Sequence, residues 1–174
     1  MTLPARGESR AEGALPAAFE RLFRAEYGRV VIIAHRVLAE REEAEDVAQE
    51  VFLSFYRAHS AEAAYAGAWL HAAAAHTALN AVRTRGRRTR REAAQAVSAD
   101  AAASEDPAEA VAAAETRDEV RAILARLPER SATLLALRYA GLSYAEIAAA
   151  LDVRASSIGT LLRRAEEAFR REMR

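Results

Sequence analysis

The sequence predicts an all-α protein built from two small helical domains, an N-terminal helical bundle and a C-terminal helix-turn-helix, joined by a flexible acidic linker. Apolar residues make up 52% of the 174 residues and aromatics only 6%. Much of that apolar share is alanine, which favours helix strongly and buries little area. Seven glycines and four prolines are too few for a turn-rich β architecture. Along most of the chain the apolar residues recur at steps of three and four, the period of a helix with one buried face.

Residues 1–15 read as a flexible leader without the apolar stretch of a signal peptide. From Pro16 a first helix is expected, with Phe19, Leu22, Phe23, Tyr27, Val30, Ile33, Ala34, Val37 and Leu38 on one face and Gly28 as a point of bending. "AEREE" interrupts it, and a second helix follows from about Glu43 through Ala44, Val47, Ala48, Val51, Phe52 and Phe55. A loop covers roughly His59–Gly67. A third helix runs from about Ala68 to Arg83 or beyond, with Trp69, Leu70, Ala73, Leu79 and Val82 inward. Its apolar stretch carries His71, His76 and Asn80; with alanine a poor spanning residue, it reads as a buried soluble helix rather than a membrane span.

The third helix ends in "RTRGRRTRRE", six arginines within Arg83–Arg91. Residues 92–115 are acidic, poor in bulky apolar groups and unable to build a core, which marks the linker. Net charge is zero, but its distribution is uneven: +2 over residues 1–97, −6 over 98–120 and +4 over 121–174. Every basic residue is arginine. There is no cysteine, so disulfides and thiolate metal sites are excluded and a reducing compartment is compatible.

The C-terminal domain is expected over 116–174. One helix carries Val120, Ile123, Leu124 and Leu127 and stops at Pro128. Another, "RSATLLALRYAG", stops at Gly141. Ser143 with Glu146 three residues on forms a capping-box pattern, and Leu142 with Ile147 occupies the hydrophobic-staple positions. "DV" makes a tight turn, Val153 is an apolar plug, and Ser156 or Ser157 is expected to cap the next helix. That helix packs Ile158, Leu162, Ala165 and Phe169 inward. A helix-turn-helix inserts its second helix into the major groove N-terminus first. Here that end offers Ser156, Ser157 and Thr160, hydroxyls that pair with several bases or with phosphate. Arg138, Arg154, Arg163 and Arg164 are candidate phosphate contacts. Gly159 costs ~1 kcal/mol of helix stability against alanine. It reads either as a point of close approach to DNA or a neighbouring helix, or as a tolerated glycine.

Upstream, Asp46, Gln49 and Glu50 fall on one exposed face of the second helix while Val47, Val51 and Phe52 face inward. A rigid acidic, hydrogen-bonding strip suits a protein partner with basic side chains. It would also fit a solvated helix face.

"AEDVAQEVFL" resembles the polymerase-binding segment of bacterial sigma factors, and the chain resembles their two-domain extracytoplasmic-function (ECF) subfamily over about Pro16–Arg91 and Thr116–Arg171. "AWLHAAAAHTALNAVRTRGRR" is similar to the helix that handles the promoter −10 element, and "LPERSATLLALRYAGLSYAEIAAALDV" to the −35-binding domain. The segments follow the family's order and spacing.

The resemblance implies a promoter-specificity subunit of RNA polymerase that recognises and melts the −10 element and recognises the −35 element. It implies that Asp46, Gln49 and Glu50 meet the clamp helices of the largest polymerase subunit and that the C-terminal domain meets the flap region. Trp69, His76 and Asn80 would serve the −10 element, with Arg83, Arg85, Arg87 and Arg88 tracking the strand. The loop His59–Gly67 would capture a flipped base, a step that costs a few kcal/mol. The acidic linker would thread the polymerase cleft or act as a plain tether, and an anti-sigma factor is a family habit. Function would be cytoplasmic and without membrane insertion.

Several positions depart from the family. Ala75 and Gly159 stand where a basic residue is common, His76 and Asn80 where Asn and Asp are usual, and Leu161 where Arg is frequent. Fewer phosphate contacts weaken binding and flatten its salt dependence, so the C-terminal domain alone is expected to hold −35 DNA weakly. A stand-alone helix-turn-helix regulator would have no use for the α-helical acidic strip. A degenerate sigma-like protein would bind polymerase without directing it. No enzyme is expected, nor a metal or cofactor: His35, His59, His71 and His76 are scattered and no catalytic constellation accompanies them.

Overall fold

The computed structural model describes residues 15–95 and 108–174, which hold seven α-helices and no strand. The N-terminal unit comprises α1 (Ala17–Leu38), α2 (Arg41–Ala58) and α3 (Ala66–Gln95), and the C-terminal unit α4 (Ala108–Arg126), α5 (Glu129–Tyr139), α6 (Tyr144–Leu151) and α7 (Ala155–Glu172). All but Leu15 of the expected leader lies outside the described residues, as does the middle of the expected linker. α3 continues through the arginine run to Gln95, and α4 starts at Ala108, well before Thr116. Arginine, a good helix former, carries α3 past Val82, and alanine carries α4 ahead of Val120.

α1 is continuous through Gly28 and ends at Ala39, whose φ of 58° is left-handed and whose N–H donates to the His35 carbonyl. A left-handed alanine costs ~1–2 kcal/mol; buried Leu38 and Ala44 on either side fix the reversal. Phe19, Phe23, Tyr27, Phe52 and Tyr56 then lock α1 to α2, with Phe23–Phe52 and Phe19–Tyr56 centroids both 4.8 Å apart. Each such pair adds ~0.5–1.5 kcal/mol beyond its buried area.

α5 ends at a turn in which Gly141 takes φ +91°. The Ser143–Glu146 capping box opens α6, with Leu142 and Ile147 both buried behind it. Asp152 turns the chain at φ 51°, and the Val153 N–H donates to the Ala148 carbonyl. Neither serine caps α7. Its N-cap is Arg154, with no side-chain cap, so Ser156 and Ser157 sit one and two residues inside the helix. Val120 also departs from expectation: it is 37% exposed, at the rim of a groove between α4, α5 and α7.

The two units share one apolar core, and α3 lies between them. It packs on α1 and α2 and also on α4, α5 and α6. Ala74, Ala75 and Ala78 are completely buried along it. Two arginines reach across to helix ends. Arg121 donates to the Leu38 carbonyl at 2.5 Å, and Arg83 donates to the carbonyls of Leu127 (3.1 Å) and Ala125 (3.4 Å). Cations at helix C-termini satisfy orphan carbonyls and complement the helix dipole. No described helix is long and apolar enough to cross a membrane.

Gly141→Ala tests the C-terminal turn. Open space surrounds the position, so the penalty is backbone conformation alone, ~1–2 kcal/mol. Urea unfolding should show a lower midpoint at unchanged slope.

Candidate nucleic-acid interface

Asp46, Gln49 and Glu50 are exposed on α2, above the buried row of Val47, Val51 and Phe52. The next step along the same face is Leu53, 47% exposed. Sequence reasoning passed over it because an apolar residue beside Phe52 reads as core. It puts an apolar end on an otherwise polar strip.

An open groove of about 620 Å³ separates α2 from α3, lined among others by Glu43, Glu50, Asn80, Arg85 and Arg88. The α2 strip and the α3 basic groups therefore meet at one groove. Arg85 spans it in an ion pair with Glu43, while Arg88 pairs along its own helix with Glu92 at 3.2 Å. Arg87 donates to Thr84 at 3.1 Å.

His76, Asn80, Arg83 and Arg87 follow at steps of four, three and four, one row on α3. Asn80 and Arg87 are exposed. His76 Nδ1 lies 2.7 Å from Glu129 Oε1, and Arg83 holds the α4 carbonyls. Ala75, where a basic residue would be common, is completely buried in the core. A long cation there would have to be accommodated inside it, so the departure belongs to packing in this arrangement.

At the start of α3, Trp69 joins an aromatic shelf that the sequence reading did not assemble. The His59 ring stacks on buried Phe55 at 5.2 Å and lies 4.6 Å from Trp69. Tyr65 meets His59 edge-on, with its hydroxyl 3.3 Å from Nδ1, and is itself 51% exposed. The signal was present as three rings bracketing the loop. Ring faces fixed in this way suit stacking with unpaired bases.

His71, by contrast, is buried and structural, its Nε2 at 2.8 Å from Glu26 Oε2.

On α7, Ser156, Gly159, Thr160, Arg163 and Arg164 are exposed, as is the N-cap Arg154. Arg163 pairs with Glu167 at 3.5 Å. Ser157 is half-buried, lining a crevice with Arg130, Asp152 and Arg154. Arg130 is a basic neighbour that the motif did not nominate. Arg138 is exposed but holds partners within its own unit: its guanidinium sits 5.6 Å from the Tyr144 ring centre and donates to the Leu142 carbonyl at 3.5 Å. A Cβ at Gly159 would meet the Tyr144 ring at 3.7 Å, ordinary contact distance. Packing inside the chain therefore does not require glycine there.

Residues 22–88 match the family described as Sigma-70 region 2, and residues 117–169 that described as Sigma-70, region 4. The chain is 32% identical over 164 residues to the RNA polymerase sigma-H factor of Pseudomonas aeruginosa, covering 87% of this chain and 84% of that one. Its fold is similar to the sigma factor RpoE in a co-crystal structure with the anti-sigma factor NepR from Bartonella quintana. That match has a TM-score of 0.50 and 16% identity, and covers 89% of this chain and 96% of the other.

Within the helix-turn-helix, Glu146 is held at a pKa of about 2 against an ordinary 4.5. The Ser143 backbone N–H and hydroxyl lower it most; slight burial opposes them, and Arg29 adds to the lowering. A depressed carboxylate stabilises the fold fully above its unfolded pKa, and loses that contribution as pH falls through the folded value. Glu146→Gln should therefore destabilise most at neutral pH. The deficit should shrink from about pH 4.5 toward about pH 2, read as urea midpoints across that range.

Proposed function

The chain belongs to the sigma-70 family, and from that premise we propose the surfaces through which it binds core RNA polymerase and directs promoter-specific initiation. The observation that carries the reading is the exposed α2 strip of Asp46, Gln49 and Glu50 beside a basic α3, both ahead of a helix-turn-helix. A regulator acting on duplex DNA alone needs only the last of these.

In this reading the α2 strip, extended by Leu53, meets the polymerase clamp helices, and the C-terminal unit meets the flap region. Domain limits of 16–91 and 116–174, with the acidic segment between, serve these two tasks. The −10 strand runs over Trp69, His76, Asn80 and Arg83 and along Arg85, Arg87 and Arg88. His59 and Tyr65 add ring faces for an unpaired base. The −35 duplex meets Arg154, Ser156, Ser157, Thr160, Arg163 and Arg164 through the major groove, with Arg138 reaching phosphate once it leaves Tyr144. The chain works by binding rather than by catalysing a reaction, in the cytoplasm where core polymerase resides. An anti-sigma factor is its expected regulator, as the co-crystallised relative has one.

Transcription with purified core polymerase on genomic fragments tests the reading, and specific starts are expected. Absence of association with core, or of specific starts, defeats it. Asp46→Arg with Glu50→Arg should weaken core binding at least tenfold, about 1.4 kcal/mol, read by titration of core polymerase with the labelled chain.

Gly159 offers a second test. Gly159→Ala should stabilise the free protein by ~1 kcal/mol yet reduce initiation if close approach to DNA is its role; unchanged initiation marks a tolerated glycine. Gly159→Arg should steepen the salt dependence of duplex binding by about 0.9 in log–log slope if a phosphate lies within reach.

A further inference from the structure

Resting on the promoter-binding reading above, we propose that Arg130 is a further contact to the −35 duplex, forming with Arg154 and Ser157 a clamp for one backbone phosphate. The three line an open crevice of about 580 Å³ where the start of α5 meets the α6–α7 turn and the start of α7. Val153 and Leu161 give it apolar walls, and Asp152 is its one acidic group.

Among the described residues, neither the Arg130 nor the Arg154 guanidinium has an ion pair or hydrogen bond. That sets them apart from the basic groups around them. Arg83, Arg85, Arg87, Arg88, Arg138 and Arg163 each hold a partner inside the chain. A guanidinium without an internal partner gives up no contact when it meets phosphate, and its planar fork matches that group. The acids that would neutralise the crevice are engaged or held apart. Glu129, the chain neighbour of Arg130, lies 2.7 Å from His76 Nδ1, on the α3 side. Asp152 pairs with neither arginine.

The place suits the task. The Ser157 hydroxyl, half-buried in the first turn of α7, supplies a further donor. Phosphate contacts fix a reading helix in register and orientation without reading sequence. Gly159 and Leu161 cannot neutralise phosphate, and Leu161 instead walls the crevice. Positive charge is thus moved from the front of α7 to its flank, where α5 and the turn contribute one arginine each. The clamp anchors that edge and leaves Ser156 and Thr160 to meet bases.

The test titrates the full chain with a labelled random-sequence duplex, and with the matching single strand, across salt concentrations. Arg130→Ala with Arg154→Ala should flatten the duplex log–log slope by about 0.9, the share of one phosphate, and leave the single-strand slope unchanged. Arg130→Lys with Arg154→Lys should restore the slope, since a point charge still serves phosphate. Asp152→Asn, a side chain tolerated at left-handed φ, should tighten duplex binding. Arg171→Ala with Arg174→Ala removes two exposed charges at the other end of α7 and should leave the duplex slope unchanged.

An unaltered duplex slope without Arg130 and Arg154 overturns the proposal. So does an equal loss on the single strand or in the Arg171 and Arg174 variant, either of which marks a general effect of charge. Thermal stabilisation of the parent, but not of the Arg130 and Arg154 alanine variant, by inorganic phosphate at matched ionic strength also overturns it, marking a site for free anions. No polymerase enters these titrations, so failure to bind core or to initiate counts against the functional reading and not against the clamp.

Discussion

α3 has to serve three neighbours with one helix surface, and the rest of the molecule is arranged around that constraint. A helix repeats every 3.6 residues, so every side chain given to packing is withdrawn from binding. α3 meets this by burying alanines on the arc that faces other helices. Ala74, Ala75 and Ala78 let α1 and α2 close on one side and the C-terminal unit on the other. Only Leu70, Leu79 and Val82 add larger buried aliphatic groups. The row from His76 to Arg87 is left at the edge of the contact, with His76 and Arg83 held by the C-terminal unit and Asn80 and Arg87 exposed.

The charges follow the same economy. The chain is neutral overall, with twenty-five arginines against twenty-five acids, and many arginines on α3 and α7 hold an internal partner. Glu43 takes Arg85, Glu92 takes Arg88, Glu167 takes Arg163 and the α4 carbonyls take Arg83. Exposed pairs of this kind contribute ~0–1 kcal/mol each, so they stabilise little and exchange readily for phosphate. They also reduce what the free protein gains from DNA in general, because each contact to phosphate first gives up an internal one. Guanidinium suits this exchange, since its planar fork fits carboxylate and phosphate alike.

Local signals were legible in the sequence. The capping box at Ser143, the stop at Gly141, the exposed α2 strip and the buried face of α7 each depend on residues a few positions apart. The identity of the partner across a contact was not legible. Periodicity marked the inner side of α3 without saying that two units share it, so Arg83 read as free to follow a strand and Ala75 as a lost DNA contact. Serines 156 and 157 fit a cap by type, yet the N-cap falls at Arg154, two residues before Ser156, because the left-handed Asp152 and the Val153 N–H bond had already reversed the chain. Val120 shares the helical period of Ile123 and Leu124 but lies where α4 meets α5 and α7 at an open groove.

Weak binding at each proposed surface would suit how such a protein must choose. A free chain that bound duplex tightly through α7 would spread over the large excess of non-promoter DNA. The face proposed for the −35 element has hydroxyls and a glycine at the front of α7 and basic groups behind, a pattern suited to orientation with modest attraction. Joining it to a second weak site through polymerase raises the local concentration of each for the other, so combined affinity appears only where both elements are present at the right spacing.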